Sequence, residues 1–337
     1  MKKTMIIIGI IIGVLVGGAL IWLVSIDGKY QVERSIIISE QPEIVFNKIK
    51  DFNSWSAWSP WLCMEPTANV NISEISNEKG SIYKWDGNLV GSGEVEHKII
   101  NPNSFIDQEI RFITPFKSKS RVYWQLTPTS EGVEVKWGMQ GEMPFFFKFM
   151  AKQMEPWIGM DYERGLKMLK DLIEKNTIPS SLKIDGQINT QEIFFVGKKV
   201  TCPVKDVATS MKNEFGELTI YADAHQIKPD RAISIYHKFD FTNPECEYTA
   251  AFPIKKEQPA PTNSYYTGSI PATKTIRVTF TGDYNHIGNA WAAAFSYIRY
   301  KKLKQNKKID PFEIYITDPK KEPDPSKWIT EIYIPIK

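Results

Sequence analysis

The sequence closes on Trp328-Ile329-Thr330-Glu331-Ile332-Tyr333-Ile334-Pro335-Ile336, and an earlier run ends in a similar way at Ala251-Phe252-Pro253-Ile254. Each ending is preceded by the same order of patterns. The first copy reads as a strand at 191–201, a helix from Pro203 to about Tyr221, and strands at 232–239 and 247–254. The second reads as a strand at 274–281, a helix over 287–305, and strands at 312–317 and 330–336. Residues 190–337 are therefore expected to form a duplicated β-α-β-β domain, a natural way to build a symmetric cleft between two halves. Residues 177–189, with Pro179, Ser180, Ser181 and Gly186, show little hydrophobic periodicity and read as a linker.

Two Glu-x-Tyr pairs stand out in the second copy. Strand alternation places Glu313 with Tyr315, and Glu331 with Tyr333, opposite Phe312, Ile314, Ile332 and Ile334. A carboxylate beside aromatic rings attracts cations through its charge and the ring quadrupoles together. The plain alternative is a solvent-facing strand side with ordinary glutamates. On the first reading Glu313 or Glu331 supplies charge, and Tyr315, Tyr333, Tyr236 and Trp291 supply the walls of a cleft between the repeats.

Upstream, residues 30–176 carry a different pattern. A strand at 31–39 is followed by a short helix that starts at Pro42. Five β-rich runs then lie between about 81 and 139, and Asn-Pro, Thr-Pro and Gly-containing turns separate them as in an antiparallel meander. A helical stretch at 144–175, interrupted at Pro156, ends the region with Leu166, Leu169, Leu172 and Ile173 in one stripe. Trp55, Trp58 and Trp61 are spaced three apart, and either line a cavity mouth or pack as plain core. Glu94 and Glu96 face away from His97 on one strand, so no paired acid and base emerges. Gly91-Ser92-Gly93 lacks the remaining glycine of a dinucleotide loop.

From Met5 to Ile26 run 22 residues without a charge. A helix of that length spans about 33 Å, close to the roughly 30 Å of a bilayer core. No Ala-x-Ala cleavage pattern follows, so residues 5–26 read as an uncleaved transmembrane anchor. Lys2 and Lys3 before the segment favour a cytoplasmic N-terminus, with both domains outside the cytoplasm. Gly9, Gly13 and Gly17 recur every four residues on one helix face, where a second copy of the chain can approach closely to form a homodimer.

The bulk properties exclude several classes. A net charge of +3 with no long basic block and no helix-turn-helix signal makes nucleic acid a poor partner. Cys63, Cys202 and Cys246 lack Cys-x-x-Cys spacing, so no metal or cofactor is expected. Cys202 and Cys246 either pair in an oxidising compartment or remain buried thiols.

Val32-Glu33-Arg34-Ser35-Ile36, Pro42-Glu43-Ile44-Val45-Phe46, the run Asp51-Phe52-Asn53-Ser54-Trp55-Ser56-Ala57-Trp58-Ser59-Pro60-Trp61 and Gly165-Leu166-Lys167-Met168-Leu169 resemble the START-like, polyketide cyclase/SRPBCC superfamily. That resemblance implies a helix-grip fold: a curved sheet wrapped on the last helix around an apolar cavity that binds lipids or other hydrophobic molecules. Ile235-Tyr236-His237, the run from Phe280 to Tyr284, the helix bearing Trp291, Pro311-Phe312-Glu313-Ile314-Tyr315 and the closing run resemble the GyrI-like small-molecule-binding domain. This second resemblance implies an aromatic cleft with a buried carboxylate that takes varied ligands, often cations. The DNA-binding domain that accompanies it in multidrug-sensing regulators is missing here.

The expected class is thus α+β, with an anchor and two binding domains. The leading reading is a membrane-anchored protein that senses, sequesters or transfers a hydrophobic or cationic ligand. A hydrolase or cyclase in which Glu313 or Glu331 activates water is the alternative, and a structural partner of envelope proteins is a third class.

Overall fold

The computed structural model describes the chain apart from residues 1, 116, 241–243 and 256–263. It begins with helix α1, Lys2–Ser25, whose stretch Thr4–Ser25 is long and apolar enough to cross a membrane. Gly13 and Gly17 open onto empty space, while the surroundings of Gly9 lie outside the described residues.

Two antiparallel sheets follow, giving a mixed α+β fold. The first sheet has seven strands: β1 (Lys29–Ile38), β2 (Asn69–Ile72), β3 (Ile82–Gly87), β4 (Gly91–Asn101), β5 (Phe105–Thr114), β6 (Ser118–Thr129) and β7 (Gly132–Glu142), in the order β1-β7-β6-β5-β4-β3-β2. Helix α2, Pro42–Lys50, starts with Pro at its first position and buries Val45, Phe46 and Ile49. Helix α3, Ala151–Lys175, runs through Pro156 without a break, contrary to the expected interruption. That proline lies near the start of the helix, where it removes only one backbone hydrogen bond.

Between this sheet and α3 the space is occupied by stacked rings. Trp124 and Trp137 are register partners on β6 and β7 with ring centroids 4.2 Å apart, and Trp137 stacks on Tyr162 of α3 at 3.9 Å. Arg34 on β1 reaches Glu155 and Glu163 of the same helix at 2.7 and 2.5 Å.

The second sheet has eight strands: β8 (Ser180–Thr190), β9 (Ile193–Pro203), β10 (Ala232–Asp240), β11 (Glu245–Pro253), β12 (Tyr266–Ile270), β13 (Thr273–Gly282), β14 (Phe312–Tyr315) and β15 (Ile329–Ile336). Their order is β12-β9-β11-β10-β14-β15-β13-β8. Helix α4, Val207–Ala224, joins β9 to β10, and α5, Gly288–Tyr300, joins β13 to β14. Two residues link β8 to β9, and two link β12 to β13, although each link joins opposite ends of the strand order. The sheet must therefore curl until its ends approach. Inside the curl, Ile188, Phe195, Ile233, Ile270, Ile314 and Phe312 form one apolar cluster drawn from both ends. The helices cover the outer face, where Ala290 and Ala294 of α5 pack on Ile276, Val278 and Ile332.

One expected boundary needs correction. Residues 180–190 are a strand paired with β13, and not part of a linker; Gly186, at φ +89°, sits at a bulge that carries the pairing past its turn-like composition. Residues Lys167–Lys337 form one compact unit together with Ala57–Asn69 and Asp86–Gly91, so the last turns of α3 group with the second unit. There Asp171 accepts a 2.8 Å hydrogen bond from His286 Nε2, and Asn289 Nδ2 lies 3.4 Å from the Met168 sulfur.

Candidate functional site

Glu313 lies on β14, at the middle of the eight-stranded sheet, and is 1% exposed. Its register partners are Ser234 on β10 and Ile332 on β15, so its side chain leaves the outer, helix-covered face. Three aromatic side chains donate to it. The Tyr236 hydroxyl is 2.8 Å and the Tyr315 hydroxyl 2.6 Å from Oε2, while Trp291 Nε1 is 2.5 Å from Oε1.

The surrounding elements place these donors by simple spacing. Tyr236 lies two residues beyond Ser234, and Tyr315 two beyond Glu313, so both share the carboxylate's face. Trp291 comes down from the first turn of α5 and meets the Tyr236 ring edge-on at 5.1 Å. From α4, Met211 receives the Tyr315 hydroxyl at 3.7 Å and Phe215 packs edge-on to its ring. Tyr284 closes another side at 5.6 Å from Tyr315. Met211, Phe215, Ser234 and Tyr284 were not singled out from the sequence. The i, i+4 pair Met211 and Phe215 on one face of α4 was the available signal.

The electrostatics around Glu313 are unbalanced. Burial pushes the Glu313 carboxyl above the usual range, and the hydrogen bonds from Tyr315, Trp291 and Tyr236 pull it back in part. Among the described residues no lysine or arginine pairs with it. Burial also drives the hydroxyls of Tyr236 and Tyr315 far above their ordinary value, so all three neighbours act as neutral donors. The arrangement holds one acid among aromatic faces with dipoles but no counter-ion.

Glu331 and Tyr333 are not part of this group. Glu331 faces Ile314 and Thr279 across the ladders, which puts it on the inner face of the curl. It is bridged by Arg277 at 3.2 Å and accepts from the Tyr333 hydroxyl at 2.5 Å, and Arg277 also reaches Asp185 at 3.1 Å. Tyr333 stacks on Phe312 in the inner cluster. Of the two candidate acids, Glu331 lies in an ion-pair cluster on the inner face and Glu313 among aromatic donors on the outer face, so the structure brings Tyr236, Trp291 and Tyr315 to Glu313 but not Tyr333.

In the first unit, Trp55 is buried against Phe52 and Tyr83, at 4.8 and 5.4 Å, and its Nε1 donates to the Ile49 carbonyl. Trp58, which groups with the second unit, is also buried, and Trp61 there is half-buried. Cys202 and Cys246 are register partners on β9 and β11, and both are free thiols. Among the described residues no cluster of His, Cys, Asp and Glu is arranged to hold a metal.

Comparison with known families agrees with this architecture. Residues 187–337 match the GyrI-like small molecule binding domain, and residues 29–174 match the family of polyketide cyclase/dehydrase and lipid transport proteins. The chain thus joins a polyketide cyclase-like domain to a GyrI-like domain, both from small-molecule-binding families. Among solved structures it is similar to protein MLL2253 from Mesorhizobium loti, with 16% identity and a TM-score of 0.35, over 44% of this chain and 99% of that one. It is also similar to the EcmrR C-terminal domain, with 16% identity and a TM-score of 0.35, over 47% of this chain and 96% of that one. The EcmrR chain of a DNA complex matches with 15% identity and a TM-score of 0.38, over 56% of this chain and 69% of that one. No curated protein matches the chain.

Proposed function

We propose that the chain is a membrane-anchored binding protein whose second domain, a duplicated β-α-β-β unit, takes a lipophilic or aromatic cation at Glu313. The observation that carries this reading is the buried carboxylate held by three aromatic donors, with no lysine or arginine paired to it among the described residues. A desolvated acid regains favourable energy when a cation reaches it, and aromatic faces tolerate many outlines, so such a site selects charge over shape. The family match to a small-molecule-binding domain supports a small-molecule ligand.

Glu313→Gln keeps the size and removes the charge, and turns one of the two accepting oxygens into an amide donor. Calorimetric titration of the full chain with a panel of lipophilic cationic dyes is expected to show affinity reduced by about 1–2 kcal/mol. Neutral analogues of the same dyes should lose little. Equal binding of the cations by both forms, or binding by neither, would return Glu313 to a structural role.

The anchor reading rests on the uncharged stretch of α1, and the placement of the domains outside the cytoplasm rests on Lys2 and Lys3 ahead of it. Protease added to intact spheroplasts is expected to digest residues beyond α1. Protection until the membrane is lysed would reverse this topology.

A further inference from the structure

Immediately beside α1 the first unit exposes a run of aromatic side chains. Residues Phe145–Met150 form a short 3-10 turn that leads into α3. Within it Phe146 is 67% exposed, Phe147 52% and Phe149 47%, and Trp157, two turns into α3, is 50% exposed. Side chains three and four apart share a face in these helices, so Phe146 aligns with Phe149, and Met150 and Met154 align with Trp157. The result is an exposed apolar ridge, broken by Lys152 and Gln153, of the kind a protein in water normally covers.

The geometry indicates what covers it. The ring of Phe149 lies 6.5 Å from that of Trp22, near the end of α1, in a stacked arrangement. Just after α1, Gly28 is pressed so closely against the same turn that a Cβ there would fall 2.8 Å from Lys148 Cγ. The ridge therefore begins where the apolar helix ends. Trp22 is itself half exposed at that level, in the position where tryptophan marks a membrane interface. Lys148 lies over the Phe145 ring at 5.6 Å, and Lys152 is exposed beside it. Lysines flanking exposed aromatics are the composition of a segment lying in the headgroup layer, with apolar stems down and ammonium groups in water.

We propose that Phe146, Phe147, Phe149 and Trp157 insert into the interfacial layer of the membrane that α1 crosses, giving the first domain a second, non-spanning lipid contact. This rests on the reading of α1 as an anchor and goes beyond it, because a spanning helix alone leaves its domain free to swing.

The full chain, reconstituted in phosphatidylcholine nanodiscs that contain a phosphatidylcholine with a photoreactive group near the acyl carbonyl, tests it directly. Crosslinks mapped by mass spectrometry are expected in peptides from α1 and also in peptides covering 144–157. In a variant carrying Phe146→Glu and Phe147→Glu, labelling of 144–157 should be lost while labelling of α1 persists. Both side chains are exposed, so the exchange removes no core packing. Wild-type labelling confined to α1 would overturn the lipid contact and leave the anchor intact, as would unchanged labelling of 144–157 in the variant. Labelling of neither segment would overturn the contact together with the anchor.

Discussion

Trp124→Ala is expected to lower the unfolding free energy of the first domain by about 3–5 kcal/mol, the range for deleting a buried aromatic side chain. Trp124 is fully buried and forms the first ring of the column that continues through Trp137 to Tyr162 on α3. Its Nε1 also donates to Gln108 Oε1 at 3.1 Å, so the truncation leaves a cavity and a buried carbonyl oxygen that has lost its donor. Trp124→Phe retains a ring for the stack but removes the donor and part of the ring volume, and should cost about 2 kcal/mol, less than the alanine variant. Urea unfolding followed by near-ultraviolet circular dichroism separates the two. A loss below about 1 kcal/mol for the alanine variant would mean that the column is not a support of the fold.

Acid is expected to weaken the same domain through His97. The ring is fully buried and stacked on Phe52 at 4.1 Å, and burial pushes its pKa down to about 4. Its two nitrogens are fixed as a neutral ring. Nε2 faces the Lys50 carbonyl at 2.9 Å and must carry the proton, so Nδ1 accepts from the Gln108 amide at 3.3 Å. Gln108 cannot turn its oxygen to a protonated ring without abandoning Trp124. The unfolded chain takes up a proton near pH 6.5 while the folded chain resists until about 4, so the unfolded state binds more protons between these values. Stability is then fully present above about pH 6.5 and declines as pH falls toward 4, by about 3 kcal/mol in all. Carboxylates also titrate at the acidic end, so the comparison is with His97→Gln, whose profile should be flatter between pH 6.5 and 4.5. Parallel profiles would remove His97 as the source.

Both domain families and most of the strands were legible because alternation and turn residues mark each strand locally. What failed was information that one strand does not contain. The reading of Glu331 with Tyr333 on one face was sound within β15, yet the phase between β14 and β15 is set by their pairing, which puts Ile332 and not Glu331 opposite Glu313. In β8, Leu182, Ile184 and Ile188 carry the alternation of a strand, but Asp185 and Gly186 at the bulge shift its phase midway, and Pro179 with two serines imitates a linker. The tryptophan triplet was ambiguous for another reason. Large rings serve a core and a cavity mouth equally well, and only the contacts of Trp55 decide for the core.

The two-faced character of β14 bears on how this domain can vary. Its four residues alternate between compartments, with Glu313 and Tyr315 serving the acidic pocket and Phe312 and Ile314 the inner cluster. Substitutions at Tyr236, Trp291 or Tyr315 can retune the pocket one wall at a time. Loss or gain of a single residue between Lys308 and Phe312 has a different outcome. It would slide the strand by one step, turning Glu313 toward the inner cluster and Phe312 and Ile314 toward the helix-covered face. The surroundings of Glu313 are therefore open to change by point replacement, whereas chain length ahead of β14 is closed to it.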